Sequence, residues 1–368
     1  MSLPQFDRSK IHQRPLAERK NKVNIAEIYI HPSDPDPEMR PEACEMIART
    51  AEYILEARTN GRPVILAFGA HSIKNGLGPL LVEYLRRGWI THLATNGAGI
   101  IHDWEFAFQG KSSEAVYENL PEGCFGTWEE TGFSINLAIA VGVWQGYGYG
   151  ASVGKAIAEQ GLRIPSEQEL INLIRDGDIA QKAASADLLN VIRKARLEAG
   201  WHEIPTPCRE YSLQAGAFQF GVASTAHPMF GHDIIYTHHL NSGAAIGRAA
   251  ELDFLSYAHS VSELNGGVYL SVGTAIMSPT VFEKAFSMAQ NVALQHGEQL
   301  NRHRIAVVDL AEPRWDWFRQ GEPPRENPEY NTPFMKTFLR SKPLGMEFLT
   351  ADNRAFLLKL FHELSKMS

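Results

Sequence analysis

The chain has 368 residues, a formal charge of −7 and 44% hydrophobic residues, enough apolar content for one large α/β domain or two smaller ones. With 21% charged residues and no basic stripe, the composition excludes a nucleic-acid partner, which needs clustered Lys or Arg. Three scattered cysteines, Cys44, Cys124 and Cys208, exclude a disulfide framework or zinc cluster and point to a reducing cytoplasm. No apolar run reaches membrane-spanning length, and Met1 to Lys10 lacks the apolar core of a signal peptide.

In chain order, the basic stretch Arg14 to Lys22 reads as a solvated arm, followed by a strand over Val23 to Ile30 and a Pro/Asp-rich loop from His31 to Pro41. Apolar residues at Ala43, Ile47, Ala51, Ile54 and Leu55 have the spacing of a helix facing a core. A strand from Pro63 to Gly69 leads into a polar loop and then a helix over Leu80 to Arg87. In that loop Gly69 and Gly76 permit tight backbone, while His71, Ser72, Lys74 and Asn75 offer donors near a helix start, where free N–H groups favour anions. The next strand, Thr91 to Thr95, closes on Asn96, Gly97, Ala98 and Gly99, whose small side chains let a cofactor approach the backbone, and then presents His102 and Asp103. A right-handed crossover places both loops on one sheet edge.

Further on, Trp144 to Gly150 is rich in Gly and aromatic residues and precedes Gly154-Lys155. A phosphate loop is refused there, because Tyr149 stands where the first Gly is needed and Ala156 where Ser or Thr is needed. The segment reads as a packing or substrate-lining turn. Pro165 to Gly200 is charged with helical periodicity and reads as a helical insertion or side layer. Strands are predicted at Asp233 to His238, Gly267 to Gly273 and Arg304 to Leu310. Glu312 to Pro333 carries five prolines and reads as an extended loop, and Asp352 caps a C-terminal helix. The alternation predicts a Rossmann-like α/β fold over 1–368 as a single domain: a mostly parallel sheet with helices on both faces, a helical insertion at 165–200 and a Pro-rich loop at 312–333.

Four blocks carry a family resemblance. Thr95 to Asp103 looks like the NAD-binding turn of deoxyhypusine synthase, and Phe68-Gly69-Ala70-His71-Ser72 with Gly76 falls where that family has its first cofactor loop. Gly231 to His238 is similar to its Gly-Asp-hydrophobic-aromatic-His segment, and Gly266 to Gly273 resembles the Gly-rich strand that follows. The resemblance runs from about Ile65 to Gly273, over half the chain. It implies NAD bound in a tetramer or dimer, a small-molecule substrate of polyamine type, and aminobutyl transfer through a lysine imine. It assigns His238 as the active-site histidine and Asp103 as an acid of the cofactor turn. The family's catalytic lysine has no counterpart, since Val272 to Pro279 contains none and Lys284 reads as a solvated helix position. Deoxyhypusine synthesis itself is therefore not expected.

The resulting expectation is NAD-dependent hydride transfer on an amine or alcohol carbon, with His238 or His102 as general base and Asp103 and Asp233 beside them. Trp128, Glu129 and Glu130 pair an aromatic ring with carboxylates, a combination suited to a cationic substrate. Two other readings stand beside it. One is metal-assisted hydrolysis by His227, His232, His238 and His239, with His232 and His238 on one strand face; the other is a non-catalytic nucleotide-binding scaffold.

Overall fold

The computed structural model describes residues 3–331 and 333–367. Among the described residues there are ten strands: β1 (Asn21–Asn24), β2 (Val64–Phe68), β3 (His92–Thr95), β4 (Lys111–Glu114), β5 (Gly161–Ile164), β6 (Gly200–Glu203), β7 (Ala223–Ala226), β8 (Val268–Val272), β9 (Arg304–Asp309) and β10 (Gly345–Thr350). Six form one sheet in the order β10-β9-β8-β2-β3-β7, and every neighbouring pair in it is parallel. Counted along the chain as first to sixth, these strands lie 3-2-1-4-5-6, the doubly wound Rossmann order. The chain divides into two compact units. A sheet unit comprises Tyr29–Gly99, Phe220–His227 and Phe254–Ser368, and a helical unit comprises Met1–Ile28, Ile100–Gln219 and Pro228–Asp253.

In the sheet unit β2 is buried along its whole length and pairs Leu66 with Leu93 on one side and Leu270 on the other. Alternate residues supply opposite layers. Ile65, Ala67, Ala94, Tyr269, Ile305 and Val307 join Tyr257, Phe282, Ala285 and Phe338 in one core cluster. On the other layer, the helices Gly78–Arg86 and Asn353–Met367 meet through Tyr84, whose hydroxyl donates to Leu357 O at 2.6 Å and whose ring lies 5.5 Å from Phe361. The sequence from Glu312 to Pro333 contains the helical turn Trp317–Gln320, which sinks Trp317 into the core cluster.

The helical unit carries two antiparallel ribbons, β1 with β4 and β5 with β6. Between β5 and β6 run the helices Glu167–Asp176 and Ile179–Ala195. Ser166 caps the first, Asp178 and Gln181 form a capping box on the second, and Arg196 ends it in the left-handed conformation at φ 54°.

Two predicted strands are corrected. Val23 to Ile30 is strand only to Asn24; Asn24 Oδ1 then accepts from Ala26 N at 3.2 Å and the chain turns into the helix Ile25–Ile28. Asp233 to His238 is a 3-10 turn over Ile234–Thr237, because the Asp233 carboxylate accepts from Ile235 N and bends the backbone. The strands at β7 and β10 were not foreseen.

The N-terminal arm is corrected at two residues: Leu16 and Arg19 are buried, while Arg14, Pro15, Ala17, Glu18, Lys20 and Lys22 are exposed as expected. Arg19, 5% exposed, makes two 2.6 Å bonds to the buried Glu105 carboxylate, which also accepts from Ser112 Oγ at 2.5 Å and Thr131 Oγ1 at 3.2 Å. Removing one member of a buried pair leaves an uncompensated charge. Arg19→Met is expected to destabilise the helical unit by about 3–5 kcal/mol in urea unfolding; a loss below about 1 kcal/mol would show the pair is not what holds the arm.

Candidate functional site

The sheet reverses its winding between β2 and β8, and open α/β sheets bind ligands outside the carboxyl ends of the strands at such a point. Gly69 follows β2 and donates its N–H to Val272 O at 3.2 Å. A Cβ on Gly69 would stand 2.1 Å from Gly273 O, so only glycine lets the two backbones meet there. Gly273, at φ +59°, is held against Asn353, whose Nδ2 donates to Ser72 Oγ at 3.3 Å. Ser72 is thus engaged in the interior, whereas His71 is exposed. Asn75 ends the five-residue helix Ala70–Lys74, with its N–H on His71 O, and Gly76 takes a positive φ of 87°.

One strand over, Thr95 Oγ1 donates to Phe68 O at 3.0 Å, tying the ends of β2 and β3. The helix Gly97–Gln109 begins there. Asn96 Oδ1 accepts from Gly99 N at 3.0 Å, and a Cβ on Gly99 would fall 2.4 Å from Thr95 Oγ1. The N–H groups of Gly97 and Ala98, at the opening of a 13-residue helix, have no partner within it.

His102 and Asp103 lie inside this helix, not on a turn. His102 Nδ1 meets Ser112 Oγ at 2.7 Å. Asp103 is 1% exposed and caps the helix Leu213–Phe220, accepting from Ser212 Oγ at 2.5 Å, Leu213 N at 2.8 Å and Gln214 N at 3.1 Å. Burial pushes its carboxyl up to about 6 against the pull of those bonds. Its oxygens are occupied by the fold.

His238 and Glu129 are brought together. His238, fully buried, places Nε2 3.3 Å from Glu129 Oε2, and the Glu129 side chain is 44% exposed. Leu240 N donates to His238 Nδ1 at 3.2 Å, so the proton of the neutral ring sits on Nε2, facing the carboxylate. Burial holds the imidazole below its ordinary value, against Glu129. Gly132 makes room for the ring, since a Cβ there would stand 2.8 Å from it. Glu130 and Trp128 serve the fold: Glu130 Oε2 accepts from Leu16 N at 2.6 Å, and Trp128, 4% exposed, donates Nε1 to Glu114 at 2.8 Å.

Asp233 caps the 3-10 turn that His238 ends, and burial raises its carboxyl to about 6. The correction of its segment from strand to turn removes the shared strand face of His232 and His238. Among the described residues no three His, Cys, Asp or Glu side chains gather so as to hold a metal ion.

A buried imidazole network in the sheet unit was missed. His92 Nδ1 meets Ser260 Oγ at 2.8 Å, and its Nε2 meets Thr225 Oγ1 at 3.0 Å; Thr225 Oγ1 lies 3.1 Å from His227 Nε2. Tyr257 packs edge-on to both rings, at 5.6 Å from His92 and 5.1 Å from His227. Nothing in the local sequence joins residues 133 positions apart.

No protein-family model matches the chain, and no curated protein matches it. Solved structures to which it is similar include a conserved protein of Methanococcus maripaludis S2 described as LOR/SDH, at 13% identity and a TM-score of 0.43 over 92% of this chain and 74% of that one. AgrE in ternary complex with ornithine and NAD+ gives 12% identity and a TM-score of 0.44 over 90% of this chain. ArgZ, an arginine dihydrolase from the ornithine-ammonia cycle in Cyanobacteria, gives 12% and 0.40 over 90%. The chain spans 34% of the length of the AgrE and ArgZ chains. The family expectation is corrected on these findings: the likenesses run to LOR/SDH, AgrE and ArgZ structures and not to deoxyhypusine synthase. No helix among the described residues is long and apolar enough to cross a membrane.

Burial holds His92 at about 3, with His227 adding to the effect, and holds His227 and His303 at about 4. Each folded value lies below the unfolded value of about 6.5, so the contribution is fully present above pH 6.5 and is lost as pH falls toward 4, because the unfolded chain takes up protons the folded chain refuses. Stability is expected to fall by about 1.4 kcal/mol per histidine per pH unit below 6.5. Urea unfolding at pH 7.5 and 5.5 checks this: His227→Gln should lose less between the two than the parent chain, and equal losses would contradict the assignment.

Proposed function

We propose that this chain is an NAD-dependent enzyme that removes a hydride from an amine or alcohol carbon of a small substrate, with or without transfer of the activated group. One observation carries the reading: a fully parallel six-stranded sheet wound 3-2-1-4-5-6, with its reversal point bordered by Gly69 and Gly273. The chain lacks the usual G-x-G-x-x-G, since only Gly69 of that pattern follows β2. The residues that fit the cofactor lie one strand over. Gly97 and Ala98, whose own side chains are no larger than a methyl, open a 13-residue helix whose first N–H groups suit a pyrophosphate.

In this assignment Thr95, Asn96, Gly97, Ala98 and Gly99 hold the dinucleotide, with Gly69, His71, Asn75 and Gly76 beside them and Ser72 fixing the loop through Asn353. NAD, when bound, supplies the hydride acceptor. Within the helical unit His238 is kept neutral at pH 7 by burial, with Nδ1 taking Leu240 N–H and Nε2–H facing Glu129, so the ring positions the partly exposed Glu129 carboxylate, which is the member of the pair open to a proton. Asp103 acts only through the fold.

The test is thermal unfolding with NAD+, NADP+ and neither, alongside the variant Ala98→Glu, which sets a carboxylate where the phosphates belong. NAD+ at a hundred times its dissociation constant should stabilise the folded chain by about 2.7 kcal/mol, and Ala98→Glu should lose that shift while keeping the parent's unliganded Tm. No shift with either nucleotide, or an undiminished shift in the variant, would overturn the reading.

A further inference from the structure

The edge of the sheet where the strands begin holds a cavity that none of the chemistry above uses. Partners in register on parallel strands point to one face, and Val268, Arg304 and Gly345 are such partners across β8, β9 and β10. Ala306 and Glu347, two residues further along β9 and β10, share that face, against which the helix Pro41–Thr59 sets Thr50 and Tyr53. Gly345 leaves a gap in the first row, having no side chain where Val268 and Arg304 have theirs. These residues line a cavity of about 210 Å³.

Arg304 is the group in it without a partner. Its guanidinium carbon lies 3.7 Å from the centre of the Tyr53 ring, and its Nη1 would stand 3.9 Å from a Cβ on Gly345. The fork therefore rests on the tyrosine and reaches the gap. Among the described residues no carboxylate pairs with it and no acceptor takes its N–H groups. The acid of the cavity, Glu347, is held by Arg49, whose Nε and Nη2 donate to Oε1 at 3.1 and 2.6 Å. The Thr50 hydroxyl is taken up by Met46 O at 2.9 Å. A half-buried guanidinium with free donors is short of an anion, and one already fixed on a ring loses little freedom when the anion arrives.

We propose that this cavity binds a short aliphatic carboxylate, its head in the fork of Arg304 and its carbon tail against Tyr53, Val268 and Ala306. The planar fork matches the two oxygens of a carboxylate. A phosphate fits less well: the apolar wall offers no donor to its remaining oxygens, and Glu347 repels its second negative charge. The site is built from the sheet unit's own residues, at the edge away from Gly69 and Gly273. It goes beyond the reading of the chain as an NAD-dependent enzyme and does not depend on it.

The experiment is thermal unfolding of the full chain, without NAD, in sodium propionate, sodium phosphate and sodium chloride at equal ionic strength. A saturable rise in Tm with propionate over chloride is expected, while phosphate gives only the unsaturating rise of an excluded salt. Arg304→Met, which keeps an apolar stem on Tyr53, should abolish the saturable rise, and Arg304→Lys should weaken the binding roughly tenfold because an ammonium cannot grip both oxygens. Gly345→Val fills the gap with Arg304 still in place; it should also abolish the rise while keeping the parent's Tm in chloride. No saturable rise with propionate, an undiminished rise in Arg304→Met or Gly345→Val, or a saturable rise with phosphate as large as that with propionate overturns the site.

Discussion

The pairing of β2 with β8 is the constraint on which the sheet depends. Val64 to Phe68 and Val268 to Val272 lie side by side in parallel over five residues and are buried throughout, and Leu66 opposite Leu270 sits at the centre of the sheet. Every other strand is added outward from this pair, two on the β2 side and two on the β8 side. The pair also creates the reversal of winding, the point at which open α/β sheets as a class bind their ligands. The contact of Gly69 with Gly273 O is the local price of that arrangement: any side chain at Gly69 would separate the loops that end the two strands.

The interior of the helical unit is governed by a different requirement, the satisfaction of buried carboxylates. Glu105 is answered by Arg19, Ser112 and Thr131, Glu114 by Trp128, Asn119 and Gly126 N, and Asp103 by the start of another helix. Asp233 by contrast accepts from Ile235 N and is raised chiefly by burial.

The sheet was legible in the sequence because β2, β3, β8 and β9 are short apolar runs ending in glycine or polar residues, the mark of strands buried on both faces. Ala223 to Ala226 escaped notice because Ala, Ser, Thr and Ala carry no such signal; pairing with β3 makes them a strand. The reverse error occurred at Asp233 to His238, where β-branched and aromatic residues suggested a strand and a single capping carboxylate decided otherwise. At the site, the loops after β2 and β3 were visible from their glycines. The partners that settle what Asp103, Ser72 and His92 do lie 109, 281 and 133 positions away, beyond the reach of any local pattern.

The distance between β2 and β8 along the chain also sets an order of events. About 200 residues separate Phe68 from Val268, and at ribosomal rates of about 5–20 residues per second the first central strand waits roughly 10 to 40 s for its partner. The whole helical unit beyond its N-terminal arm, Ile100–Gln219 and Pro228–Asp253, is synthesised in that interval. It can therefore fold first, around an arm already made, while one edge of β2 stands unpaired in the nascent chain. Until residue 272 has emerged, β2 can pair with β3 on one side only, and the edge that β8 covers in the finished fold has no strand to meet it.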